Sequence, residues 1–137
     1  MKKTAICLAV SVLALGGVAG QAMAHHSFAM FDRQKEVVLK GTVKAFQWTN
    51  PHSFIEIDVA DEKGAIQAYS VEMNSPNNLT RQGWRSTSLK PGDKVTVVMN
   101  PLRDGALGGL FVSVQLADGK ILGDPTRIPG AAPAKAG

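Results

Sequence analysis

The sequence predicts an all-β domain: a small five-stranded OB-like barrel with one short helix between strands 3 and 4. Three observations carry this. Five segments rich in β-branched residues alternate apolar and polar side chains. One helix signal follows the third of them. The chain is long enough for one modest core and too short for two ordinary domains. The OB-fold, a partly open barrel of five strands, has this order of elements. A small sandwich gives a similar pattern, and the element order alone leaves that alternative open.

The first strand is read from Val37 to Trp48, with Leu39, Val43 and Ala45 on one face and Lys40, Thr42 and Lys44 on the other. Gly41 in its middle marks a bulge or sharp bend, the device that lets one strand serve both sides of a small barrel. After the turn signal Asn50-Pro51, residues Ser53 to Ala60 alternate Ile55, Ile57 and Val59 against Glu56 and Asp58. Asp61 to Gly64 makes a polar turn, and Ala65 to Met73 forms the third strand and completes a hairpin. Ser75 caps a short helix over Pro76–Gln82, Pro76 occupies its first position, and Gly83 ends it; Leu79 is its apolar anchor. Lys90-Pro91-Gly92-Asp93 is a turn that leads to a fourth strand carrying Val95, Val97 and Met99 on one face. A glycine-punctuated loop from Asn100 to Gly109 precedes a fifth strand, Leu110 to Leu116, which Asp118-Gly119 closes.

Ahead of the strands, Lys2 and Lys3 form a positive start, Ala5 to Leu15 an apolar stretch, and Ala22-Met23-Ala24 a small-x-small cleavage site. That is the pattern of a secretory signal peptide over residues 1–24. The apolar stretch is shorter than the roughly 20 residues a bilayer span needs, and no second run of that length follows. The mature chain is therefore expected in the periplasm with no stable membrane insertion. It would begin at His25, with the barrel over 25–123 and a disordered Pro-, Ala- and Gly-rich tail over 124–137.

Cys7, the only cysteine, lies within the apolar stretch, away from the cleavage site where a lipid anchor would need it. The mature domain then has no disulfide and no thiolate zinc site, and any metal must take nitrogen, oxygen or thioether ligands. Lys2 and Lys3 leave with the signal, so 13 of the 15 basic residues face 11 acidic ones. This excess is small and scattered, and on that ground nucleic acid is excluded as a partner.

The three histidines fall in two places, His25 and His26 at the expected mature terminus and His52 in the turn between the first two strands. The free amine and imidazole of His25 can chelate one ion, and His26 or His52 can add a third nitrogen. Such a site would resemble the histidine brace of some exported copper proteins, and it suits Cu(II), which favours amine and imidazole nitrogens in tetragonal geometry. Met30, Met73 and Met99 could offer thioethers to Cu(I), but Met73 and Met99 fall on core faces, and core packing is the preferred reading for both. Trp48 and Trp84, with Phe54, could form an aromatic platform of the kind that binds oligosaccharides or single strands, although aromatics at strand ends more often seal a core; Arg103 in the long loop could touch a partner, although a turn made for its own geometry is the preferred reading. No nucleophile is paired with a base, and Glu56 and Asp58 read as the solvated side of a strand.

His25-His26-Ser27-Phe28, Trp48-Thr49-Asn50-Pro51-His52, Ser75-Pro76 through Gly83-Trp84, Leu89-Lys90-Pro91-Gly92-Asp93 and Pro101-Leu102-Arg103-Asp104-Gly105 occur in that order. Together they resemble a bacterial family of small exported proteins, domain of unknown function 6152. The resemblance supports export and implies no activity. The sequence thus points to a non-enzymatic exported binding module that holds a copper-type ion through His25, His26 and His52. The alternative is a metal-free protein- or glycan-interaction module using Trp48, Trp84 and Arg103.

Overall fold

Six strands make one continuous sheet in the computed structural model, which describes residues 28–131. They are β1 (Val37–Gln47), β2 (Phe54–Ala60), β3 (Ile66–Glu72), β4 (Lys94–Pro101), β5 (Gly108–Leu116) and β6 (Ile121–Gly123), with the helix α1 (Pro76–Arg81) between β3 and β4. The spatial order is β3-β2-β1-β4-β5-β6, and a further β3–β5 pairing closes the first five strands into a barrel. The described residues divide into two units between Met30 and Phe31; of the first, Phe28 and Ala29 are helical and Met30 follows in a turn.

The fold class expected from the sequence is the one observed. β1 serves both sides of the barrel: residues 37–42 pair with β4, residues 42–47 pair with β2, and Thr42 belongs to both ladders. The bulge on this strand falls between Val43 and Ala45 rather than at Gly41. Gly41 acts by close approach instead, since a Cβ there would stand 2.3 Å from the Asp58 carbonyl oxygen. The alternating pattern turns Ile55, Ile57, Val71, Val97 and Val114 into an interior with no exposed surface. Burying each such side chain stabilises the fold by about 1.5–3 kcal/mol before entropy is counted. Met73 and Met99, each 2 % exposed, are part of that interior.

Closure depends on the segment Gly108-Gly109. Ser70, Val71 and Glu72 of β3 run parallel to Gly108, Gly109 and Leu110 of β5. A Cβ on Gly108 would stand 2.5 Å from the Ser70 carbonyl oxygen, and one on Gly109 would stand 2.3 Å from that of Asn100. Only residues without side chains let these backbones meet.

Two features depart from the sequence reading. β6 adds a sixth, three-residue strand to β5, after a turn in which the Leu116 N–H donates to the Lys120 carbonyl at 2.8 Å. The second lies in the segment expected to be a disordered tail. There Asp124 caps a 3₁₀ turn over Pro125–Arg127 that lies against β5, its Oδ1 accepting from the Thr126 N–H at 2.9 Å and hydroxyl at 2.6 Å. Arg127 pairs with Glu36 at 3.1 Å, and Ile128 is 4 % exposed, which is why this stretch is ordered despite its composition. Residues 132–137 and the expected signal peptide lie outside the described residues.

The lead-in to β1 is held in a similar way. Phe31 bridges Leu102, and the Asp32 N–H donates to the Pro101 carbonyl at 2.8 Å. Burial pushes the Asp32 carboxyl up, but the Gln34 N–H, the Lys35 ammonium and the Arg103 charge outweigh it and hold the group below the ordinary 3.8. The hydroxyl and N–H of Thr126 likewise lower Asp124, with Arg127 adding to the effect against a smaller opposing contribution from burial.

Two outcomes follow for stability. Gly109→Ala should cost about 1–3 kcal/mol in urea unfolding, as overpacking into backbone does. Lowered carboxyl pKa values add stability that is complete above the unfolded-state value and is lost as pH falls through the folded one. Melting temperatures should therefore drop below about pH 3.8, and the drop should be shallower in Asp32→Asn and Asp124→Asn than in the wild type.

Candidate functional site

The turn from Trp48 to Ser53 carries His52, the only histidine among the described residues. Hydrogen bonds pin its backbone on both sides. The Thr49 hydroxyl donates to the His52 carbonyl at 2.8 Å, and Ser53, fully buried, exchanges bonds with β3's exit: its N–H donates to the Asn74 carbonyl at 3.1 Å and its carbonyl accepts from the Met73 N–H at 2.8 Å. The Asn50–Pro51 peptide within the turn is cis.

The imidazole is held at one nitrogen. His52 Nδ1 lies 3.1 Å from the Met73 carbonyl oxygen and 3.3 Å from Glu72 Oε1, with the side chain 36 % exposed. Two oxygen acceptors face that nitrogen, so an N–H satisfies them and a lone pair would not. In the neutral ring the lone pair then sits on Nε2. Glu72 was not among the residues singled out from the sequence. It stands 20 positions from His52, and only the β2–β3 register, which sets Phe54 opposite Glu72, brings the two together.

His25 and His26 lie outside the described residues. Trp84 is 1 % exposed and stands at the centre of an aromatic group, 5.9 Å from the Phe46 ring and 5.3 Å, edge to face, from Phe111. This corrects its assignment to a ligand surface: the chain leaving α1 turns it inward, and the Trp84 backbone N–H donates to the Leu79 carbonyl at 3.0 Å. Trp48 packs on the same group at 5.6 Å from Phe46 and is partly buried. Arg103 remains at the surface, 58 % exposed, with Nη2 4.0 Å from Asp32 Oδ1. Among the described residues no three His, Cys, Asp or Glu side chains converge as a metal site, and no helix is long and apolar enough to cross a membrane.

These features define a small closed β-barrel with a helix between its third and fourth strands and one anchored imidazole on its first interstrand turn. A model described as a family of unknown function (DUF6152) matches residues 13–112, and the chain belongs to that family. No curated protein matches it. Two crystal structures of the mitochondrial single-stranded DNA-binding protein Rim1 from S. cerevisiae are similar in shape. One has 13 % identity and a TM-score of 0.45, covering 61 % of this chain and 94 % of that one. The other, selenomethionine-labelled, has 10 % identity and a TM-score of 0.42, covering 61 % and 93 %. The exclusion of nucleic acid drawn from charge balance is corrected by this finding, since the solved structures similar to the barrel are single-stranded DNA-binding proteins. At this degree of likeness no function passes from Rim1 to this chain.

The burial of Trp84 is directly testable. Trp84→Ala should cost about 3–5 kcal/mol in urea unfolding, the loss expected for a core aromatic and not for a surface one.

Proposed function

We propose that this chain is an exported, non-catalytic binding module that takes up a copper-type ion, with His52 as one imidazole ligand. The observation that carries the reading is the fixed Nδ1 of His52, held by a backbone carbonyl and a carboxylate. Histidines that ligate metals commonly donate their second ring N–H in this way, which orients the ring and makes the ligating nitrogen more basic. The sequence contains two other histidines, His25 and His26, so any further imidazole from this chain comes from one of them. Cleavage after Ala24 would add the free amine of His25, and amine with imidazole suits Cu(II). Periplasmic localisation is part of the proposal, because the chelating amine exists only after processing. The metal-free interaction module, with Trp84 in the core, rests on Trp48 and Arg103 alone.

The test is a Cu(II) titration of processed protein with its His25 terminus, beside His52→Ala and a version with one extra residue before His25. One-to-one binding weakened in both variants is the expected result, and Glu72→Gln should weaken it about tenfold by loosening the ring. Binding that ignores all three changes would sink the metal reading.

A further inference from the structure

On the outside of the barrel, where β1 bends, residues of all five barrel strands and of the turn after β5 line an open groove of about 830 Å³. Its floor is set by the ladders. Thr42 stands opposite Asp58 on β2 and opposite Lys94 on β4, while Lys40 stands opposite Thr96, which in turn faces Gln115 on β5. Side chains two apart on a strand share a face, so these residues project together from the outer surface. Gly41 lies between Lys40 and Thr42 and lets β2 approach closely, since a Cβ there would stand 2.3 Å from the Asp58 carbonyl oxygen.

The groove's two cations outnumber its one carboxylate. Lys94 Nζ donates to the Thr42 hydroxyl at 2.6 Å, which leaves the ammonium two further N–H groups. None of the ion pairs among the described residues involves Lys40, Lys94 or Asp58. Two ammonium groups therefore share a concave surface with one carboxylate, and concave walls focus such a field on what enters. The lining contains hydroxyls and an amide but no aromatic ring, so it offers hydrogen bonds and charge rather than stacking. A hollow of this size lies in the range of small-molecule sites, roughly 300–1,000 Å³.

We propose that this groove binds a small molecule bearing an oxyanion, a phosphate or a carboxylate, held between Lys40 and Lys94 with Thr96 and Gln115 as hydrogen-bonding partners. Asp58 limits the anionic charge the groove accepts and can receive a hydroxyl from the same ligand. The site is separate from the metal reading, since His52 is not in its lining.

Amide NMR titrations of the chain with inorganic phosphate, and separately with acetate, each replacing chloride at constant ionic strength, test it. The expected result is saturable shifts confined to residues 40–42, 94–96 and 115–117 with at least one anion. The anion that saturates identifies the group recognised. Lys40→Met with Lys94→Met should weaken binding at least tenfold, and Asp58→Asn should strengthen it about threefold, the effect of removing a like charge some 6 Å away in water. His52→Ala should leave it unchanged, which separates this site from the metal one. The proposal is overturned if neither anion saturates, if shifts spread equally to exposed lysines such as Lys63 and Lys90, or if the double lysine variant binds as the wild type does.

Discussion

The barrel depends on two backbones being allowed to touch. Gly108 presents no side chain to the Ser70 carbonyl of β3, and Gly109 none to the Asn100 carbonyl of β4, so β5 can lie against both and the sheet closes over its own interior. Closure gives Val71 and Val114 a common interior and leaves Trp84 facing Phe111 instead of water. The strand end that makes this contact also lies beside the turn that carries His52. Glu72 is the last residue of β3 to pair with β5, and it is also the carboxylate beside the imidazole.

Polar groups obey the same economy. Among the described residues no buried side-chain nitrogen or oxygen lacks a partner. Asn100 donates to the Lys35 carbonyl at 2.7 Å and so ties β4 to the lead-in of β1, while Ser113 donates to the Leu122 carbonyl at 3.3 Å and ties β5 to β6. An unmade bond at either place would cost about 1–3 kcal/mol. These bonds leave the outward surfaces, the His52 turn and the hollow at the β1 bend, as the places where polar chemistry meets solvent.

The strands and the helix were legible in the sequence because each is written in its own local period. The alternation of Ile55, Ile57 and Val59 and the Ser75-Pro76 cap need no distant partner to be read. The closing contact was not legible: Gly108 and Gly109 look like loop punctuation until β3 is placed against them. The place of Trp84 was open for a related reason, since a tryptophan next to a helix-ending glycine can point either way and only the barrel decides. The ordered turn after Asp124 was hidden by its prolines and glycines, although Asp124-Pro125 is itself a capping signal like Ser75-Pro76. Of the candidate site, the sequence yields His52 but not Glu72, whose proximity is a product of register.

The parallel pairing of β3 with β5 also governs when the barrel can exist. A chain that emerges from a ribosome or a membrane channel N-terminus first can form the β2–β3 hairpin early, because its pairs are close in sequence. It cannot close the barrel until Gly108, Gly109 and Leu110 arrive, and contacts this far apart are slow to form. Until then β1 and the helix segment can pack on the hairpin, but β3 lacks its β5 neighbour. Under vectorial delivery the open edge of β3 is therefore the last to be covered.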